Sequence, residues 1–396
     1  MVIMTNDADG FGQAGPPPGY GPPPGYGPPP GYAPPPGYGP PPGYGPPPGY
    51  GPPPGYPPPG YGWRPGGSPY GTLQPGVIPL RPLILSDIFN GAVNYIRRNP
   101  KATLGLTAAV VVVAQILAVL LQIVIPLITS GTVVPAMSGD VMSGGDFVAL
   151  TGSAMAAAIP TALAAIVLSG LLTVVVGRAV FGSDIGIGEA WQRLKGRLPT
   201  LIGFTLLEAV AVVALVAVVV AVIVVAAVAG GGVVAFLVGA VLTLLSLVVT
   251  IYVATAILFA PALIVLERLD VVDAVKRSFA LVRNDFWRVL GIWLLASLAA
   301  GVIAGAVTVP FSFGGQLLTT TADSTGTAVL GLVLVAFGGA VGQIVTAPFS
   351  AGVVVLLYTD RRMRAEAFDL VLQTGAASAY GSPADSTDHL WLTRHP

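Results

Sequence analysis

The chain has 396 residues, 54% of them hydrophobic and only 9% charged, and its eighteen Lys and Arg balance eighteen Asp and Glu. A soluble domain carries roughly 25% charged residues, so the composition points to a membrane, and no basic run is long enough to suggest a nucleic-acid partner. Cysteine is absent, which removes disulfides, thiolate catalysis and cysteine metal sites; no cofactor is expected.

The chain begins with an acidic stretch, Met1 to Gly10, that lacks an apolar core, so a cleavable signal peptide is not expected. From Pro16 to Tyr61 run eight copies of Pro-Pro-Pro-Gly-Tyr. Each proline triplet favours extended polyproline II, and each glycine interrupts it. Only tyrosine could contribute to a core, so residues 1–80 are expected to form a disordered cytoplasmic tail. Glycine does not recur at every third position, which rules out collagen. Candidate partner-binding residues are Tyr20, Tyr26, Tyr32, Tyr38, Tyr44, Tyr50, Tyr56 and Tyr61. Their regular spacing suits weak multivalent contact, and Pro-Pro-Gly-Tyr fits the pattern read by WW-type grooves. A low-complexity spacer would have the same composition.

Six apolar spans follow, approximately Thr103–Ile128, Val148–Val176, Leu201–Ala229, Val233–Leu258, Val289–Val309 and Ala328–Tyr358. Each meets the ~20 residues needed to cross the hydrocarbon core. Pro160 and Pro348 mark expected kinks, and span four could run past Pro261 towards Leu266. The connections alternate in charge. Arg97, Arg98 and Lys101 precede the first span, whereas residues 129–147 hold Asp140 and Asp146 without a cation. Arg178, Arg193, Lys195 and Arg197 follow, then the uncharged Gly230-Gly231-Gly232, then Arg268, Lys276, Arg277, Arg283 and Arg288. Residues 310–327 hold only Asp323, and Arg361, Arg362 and Arg364 close the series. By the positive-inside rule both termini are cytoplasmic. The expectation for labelling is that Ser143 and Ser324 lie outside, Ser183 and Ser278 inside.

A shared pattern precedes spans one, three and five: Ser86-Asp87-Ile88-Phe89, Gly188-Glu189-Ala190-Trp191 and Val272-Asp273-Ala274-Val275, each leading to an arginine and then an apolar-Gly pair. Acids here suit a helix N-terminus. In the third copy Val272, Val275, Phe279, Val282, Phe286 and Val289 form an apolar stripe at helical spacing. The fold expected is all-α and integral to the membrane: six transmembrane helices in three pairs, each preceded by a cytoplasmic interfacial helix. Candidate lipid-headgroup residues are Arg97, Arg197, Lys276, Arg277 and Arg283; an amphipathic elbow covering the inner helix ends would show the same stripe.

Within the spans, Glu208 is the one clear acid, roughly 10 Å inside the boundary at 1.5 Å per residue. It suits a transported proton, cation or polar headgroup, or a protonated or arginine-paired carboxylate packed between helices. Gln115, Gln122 and Gln343 suit interhelical hydrogen bonds. Gly301 with Gly305, and Gly338 with Gly342, offer small faces for packing spans five and six. Both histidines, His389 and His395, lie in the polar tail 371–396, so no catalytic or metal site is expected in the body of residues 81–370. No Walker or dinucleotide sequence occurs.

The Pro-Pro-Pro-Gly-Tyr tail ahead of a six-span body resembles the proline- and glycine-rich transmembrane proteins of mycobacteria and related actinobacteria. The body, with motifs such as Asp273-Ala274-Val275-Lys276-Arg277-Ser278-Phe279, is similar to the membrane domain attached to some bacterial glycerophosphodiester phosphodiesterases. In that family catalysis belongs to a separate barrel of at least roughly 200 residues, and no soluble segment here could supply one. The resemblance therefore implies membrane residence and lipid association without phosphodiesterase activity. Three readings follow: a non-enzymatic plasma-membrane scaffold or accessory subunit whose tail recruits protein partners, a solute or lipid transporter using Glu208, and a membrane-embedded phospholipid enzyme.

Overall fold

The computed structural model describes residues 76–79, 81–129, 131, 144–183, 185–322, 324–372 and 390–392. The repeat tail with its eight tyrosines, the connection 132–143 and most of the C-terminal tail lie outside the described residues. All regular structure among those described is helical: α1 (Leu85–Arg98), α2 (Leu106–Thr129), α3 (Gly144–Val180), α4 (Ile187–Lys195), α5 (Leu198–Ala256), α6 (Ala260–Leu266), α7 (Val271–Arg283), α8 (Phe286–Thr320) and α9 (Thr325–Glu366). A π-helical turn, Lys101–Gly105, links α1 to α2 just after Pro100.

The three repeated sequences form α1, α4 and α7, with Asp87, Glu189 and Asp273 in their first turns. There the unpaired N–H groups and the helix dipole favour a carboxylate. Asp87 also accepts from the Ile84 N–H at 3.2 Å. The buried faces of α1 and α7 carry Ile88, Ala92 and Tyr95, and Ala274, Leu281 and Val282. These side chains join one hydrophobic core with Leu194, Leu201, Phe259, Leu263 and Leu356.

Among the described residues, five helical stretches are long and apolar enough to cross a membrane: Lys101–Thr129, Phe147–Val180, Leu198–Leu266, Phe286–Thr320 and Thr325–Glu366. The longest is not straight. Gly231 has φ 77° and ψ −177°, a conformation open essentially to glycine alone. A Cβ on Gly239 would meet Ile223 at 3.3 Å, although in an unbroken helix these positions would stand about 24 Å apart. The chain turns back on itself at Gly231, and α5 is a helical hairpin. After it the chain breaks again at Ile257, and α6 starts with Pro261 in its first turn, where a missing N–H is tolerated. Span four thus ends at Ala256 and a separate short helix continues to Leu266.

α8 lies along α9 at a distance set by glycine. A Cβ on Gly315 would stand 2.6 Å from the Gly331 carbonyl oxygen, and one on Gly331 the same distance from that of Gly315. Gly338 and Gly342 pack against Phe311 and Thr308, whereas Gly301 and Gly305 face open space. The small face of α8 is therefore further along the helix than its Gly-x-x-x-Gly spacing suggested. α8 also continues through Pro310 to Thr320, so the connection expected over 310–327 shrinks to a turn before Ser324. Packing of residues 311–320 on α9 outweighs the one backbone bond that proline removes. Ser324 caps α9 by accepting from the Thr327 N–H at 3.2 Å.

Candidate functional site

The last two turns of α9 carry Tyr358, Asp360, Arg361, Arg362, Arg364 and Glu366. At 100° per residue these side chains radiate in three directions. Asp360, fully buried, accepts from the Leu83 N–H at 2.8 Å and pairs with Arg288 at 3.1 Å and Arg364 at 2.9 Å. Both arginines also donate to the Leu83 carbonyl, at 2.8 and 2.9 Å. Arg361 donates to the Leu281 carbonyl at 3.1 Å and pairs with Asp285.

In the third direction Glu267, also fully buried, accepts from the Tyr358 hydroxyl at 2.5 Å and pairs with Arg277 at 2.6 Å and Arg362 at 3.6 Å. Arg277 and Arg362 share Glu366 at 2.7 and 3.0 Å. Arg362 also donates to the Trp391 carbonyl at 3.1 Å and lies 4.0 Å over the Phe368 ring. One helix end thus ties together the segment before α1, the turn after α6, α7, α8 and the C-terminal Trp391. Buried charges persist only when paired and hydrogen-bonded, and the two buried carboxylates, Asp360 and Glu267, each have several donors.

Two neutral contacts complete this end. Ser278 Oγ donates to the Ala256 carbonyl at 2.8 Å and accepts from the Phe259 N–H at 3.2 Å, which satisfies backbone groups where α5 stops. Ser278 is consequently buried and is no labelling site. On α1, Tyr95 donates its hydroxyl to the Pro348 carbonyl, in space that Gly352 leaves: a Cβ there would be 2.5 Å from the Tyr95 ring. Burial pushes the Tyr95 phenol above its ordinary pKa.

Three cavities of about 340 to 400 Å³ lie among the described residues. The first, of about 400 Å³, is lined by Arg178, Arg193, Arg197, Arg268, Leu266 and Trp391 among others. The second, about 370 Å³, is an apolar groove between the arms of the α5 hairpin and Val275 of α7, with Glu208 and Thr250 in its wall. The third, about 340 Å³, lies among α3, α6 and α9, with Ser169, Thr173, Gln343 and Ser350 in its lining.

The residues singled out from the sequence fall into distinct places. Glu208 has no ion pair among the described residues and faces the hairpin groove. Gln115 approaches Gly339 of α9, Gln343 lines the third cavity, and Gln122 is half-buried without a hydrogen bond among the described residues. No hydrogen bond joins the three glutamines among the described residues. Arg97, Lys276 and Arg283 are exposed, and Arg197 borders the first cavity. Arg277 departs from the headgroup expectation: its guanidinium is taken up by Glu267 and Glu366, because it lies on the side of α7 nearest the end of α9. The sequence reading missed Glu267, Asp360, Tyr358 and Trp391. Acids amid a run of arginines between apolar spans were the one signal that could have found the first two.

The all-helical fold and its long apolar helices define a multi-pass membrane protein. Residues 83–361 match the family described as a domain of unknown function, DUF7847, and the chain belongs to it. No curated protein and no solved structure matches the chain.

Proposed function

We propose that the chain crosses the plasma membrane six times with both termini in the cytoplasm, and that it acts as a non-enzymatic scaffold or accessory subunit of the cell envelope, associated with lipid. The six crossings are the two arms of α5 with α2, α3, α8 and α9, paired in sequence behind α1, α4 and α7. The resemblance to actinobacterial proline- and glycine-rich membrane proteins supports the same setting. The observation that carries the reading is the hub at the end of α9. Alternating access needs helix ends that slide or rock against one another, whereas here α7, α8 and α9 share ion pairs and the Leu83 backbone before α1 is hydrogen-bonded to Asp360. A body locked in this way suits a fixed platform, with the tyrosine-bearing tail as the recruiting arm. The test is in-cell crosslinking and mass spectrometry of the full chain against a chain lacking residues 1–75. Partners crosslinked only to the full chain are expected, and identical partner sets would remove the tail's role.

A second reading rests on Glu208. A single carboxylate in a groove otherwise nearly apolar is a candidate proton or cation relay. Loss of solute uptake or lipid flipping in Glu208→Gln, with thermal stability unchanged, would favour it over the scaffold.

A further inference from the structure

The first cavity gathers arginines from three separate stretches of chain. Arg178 sits at the end of α3, Arg193 and Arg197 on and just after α4, and Arg268 in the turn between α6 and α7. Arg178 is buried and shares Glu189 with Arg193, at 3.4 and 2.8 Å. Arg197 and Arg268 make no ion pair among the described residues. Their planar guanidinium forks are suited to two-point recognition of phosphate oxygens. Leu266 and Trp391 supply an apolar wall, and the volume of about 400 Å³ suits a small polar ligand.

Arg268 gives an independent pointer. Its φ is 58°, at the position after a helix where glycine ordinarily takes the left-handed conformation. The chain end is closed there by the Leu269 N–H donating to the Leu263 carbonyl at 3.4 Å, which glycine would serve without strain. An arginine at this point is costly to the backbone, and what it adds is a guanidinium at the cavity. The adjacent Glu267 meanwhile reaches the hub, so the turn sends one charge to each site.

We propose that this cavity binds a phosphoryl anion, either the headgroup phosphate of an anionic phospholipid or a free phosphate monoester. Arg197 and Arg268 contact its oxygens, while Arg178 and Arg193, paired with Glu189, line the cavity behind them. The lipid source rests on the proposed orientation of the body in the membrane; the phosphate site does not.

The test uses the full chain in nanodiscs of phosphatidylcholine, with two probes. Phosphatidic acid doped into the nanodisc is followed by native mass spectrometry, and soluble glycerol 3-phosphate by calorimetry. Retention of phosphatidic acid alone identifies a lipid site, binding of glycerol 3-phosphate alone a soluble ligand, and binding of both shows that the phosphate group suffices. Arg197→Gln combined with Arg268→Gly should weaken whichever binds by about tenfold or more. Arg268→Gly relieves the left-handed backbone, so its melting temperature should equal or exceed that of the parent, which separates lost contact from lost fold. The control is Arg97→Gln with Arg98→Gln, exposed cations that do not line the cavity, and binding should survive it. No binding of either probe, or equal loss in the control, overturns the site. Labelling of Gln192→Cys from outside the cell would instead overturn the orientation and leave the phosphate measurement standing.

Discussion

The α5 hairpin and the end of α9 are built on opposite principles. From Thr205 to Ala254 no residue is buried, and Val228 and Val233 near the tip are 85% and 75% exposed. At the end of α9, by contrast, every residue from Val355 to Met363 is buried, including Asp360, Arg361 and Arg362. In water this would be an inverted protein, since exposed apolar surface on that scale aggregates. A bilayer resolves the inversion. Lipid tails cover the hairpin, while the polar groups at the end of α9 are satisfied internally rather than by water. Trp287, 81% exposed beside Phe286 and Tyr252, sits where these regimes meet, as aromatic side chains do at membrane interfaces. Uniqueness of structure is concentrated in the hub, and the hairpin needs only to be apolar and helical.

Breaking the hub should have the largest effect. Glu267→Gln or Asp360→Asn leaves buried arginines short of a countercharge and should cost about 3–5 kcal/mol, read as thermal unfolding in detergent. Val224→Ala and Val225→Ala on the hairpin should change the same measurement by less than about 0.5 kcal/mol. Equal effects at both places would erase the contrast.

Glycine sharpens it next. Gly352→Ala drives a methyl into the Tyr95 ring and should destabilise by about 1–3 kcal/mol. Gly301→Ala, facing open space within α8, should be neutral or stabilising by up to about 1 kcal/mol. A loss of stability at Gly301 would mean that a partner covers that face.

The phenol of Tyr95 contributes a smaller, pH-dependent difference. Its pKa is raised on folding above the ordinary value of 10.0, so its contribution is complete below that value. Above it the unfolded chain loses a proton that the folded one keeps, and stability falls as pH rises. Tyr95→Phe should make the alkaline slope shallower by about 1.4 kcal/mol per pH unit, at the cost of about 1 kcal/mol for the hydrogen bond to Pro348. An unchanged slope would place the hydroxyl in water.

Much of the fold was legible because a bilayer imposes simple rules. Hydropathy located the apolar helices, the Gly230-Gly231-Gly232 run marked the point where α5 turns back, and the acids Asp87, Glu189 and Asp273 marked the starts of α1, α4 and α7. The hub was not legible, because its bonds join residues far apart in the chain: Leu83 to Asp360, Glu267 to Tyr358, Arg361 to Asp285. Arg288, Arg361, Arg362 and Arg364 were counted only as topology signals, and nothing local distinguishes an arginine bound for the headgroups from one bound for a buried carboxylate. The same limit applied to Arg268, whose left-handed backbone appears only in three dimensions.

The central proposal is that α5 crosses the membrane twice, which places α4 and α7 on one side. The chain has no native cysteine, so single cysteines at the exposed positions Gln192, Gly232, Asn284 and Ser324 can be labelled in intact cells with an impermeant reagent. Gly232→Cys and Ser324→Cys should react, and Gln192→Cys and Asn284→Cys should react only after permeabilisation. Reaction of Asn284→Cys from outside while Gln192→Cys stays protected would make α5 a single crossing and contradict the account.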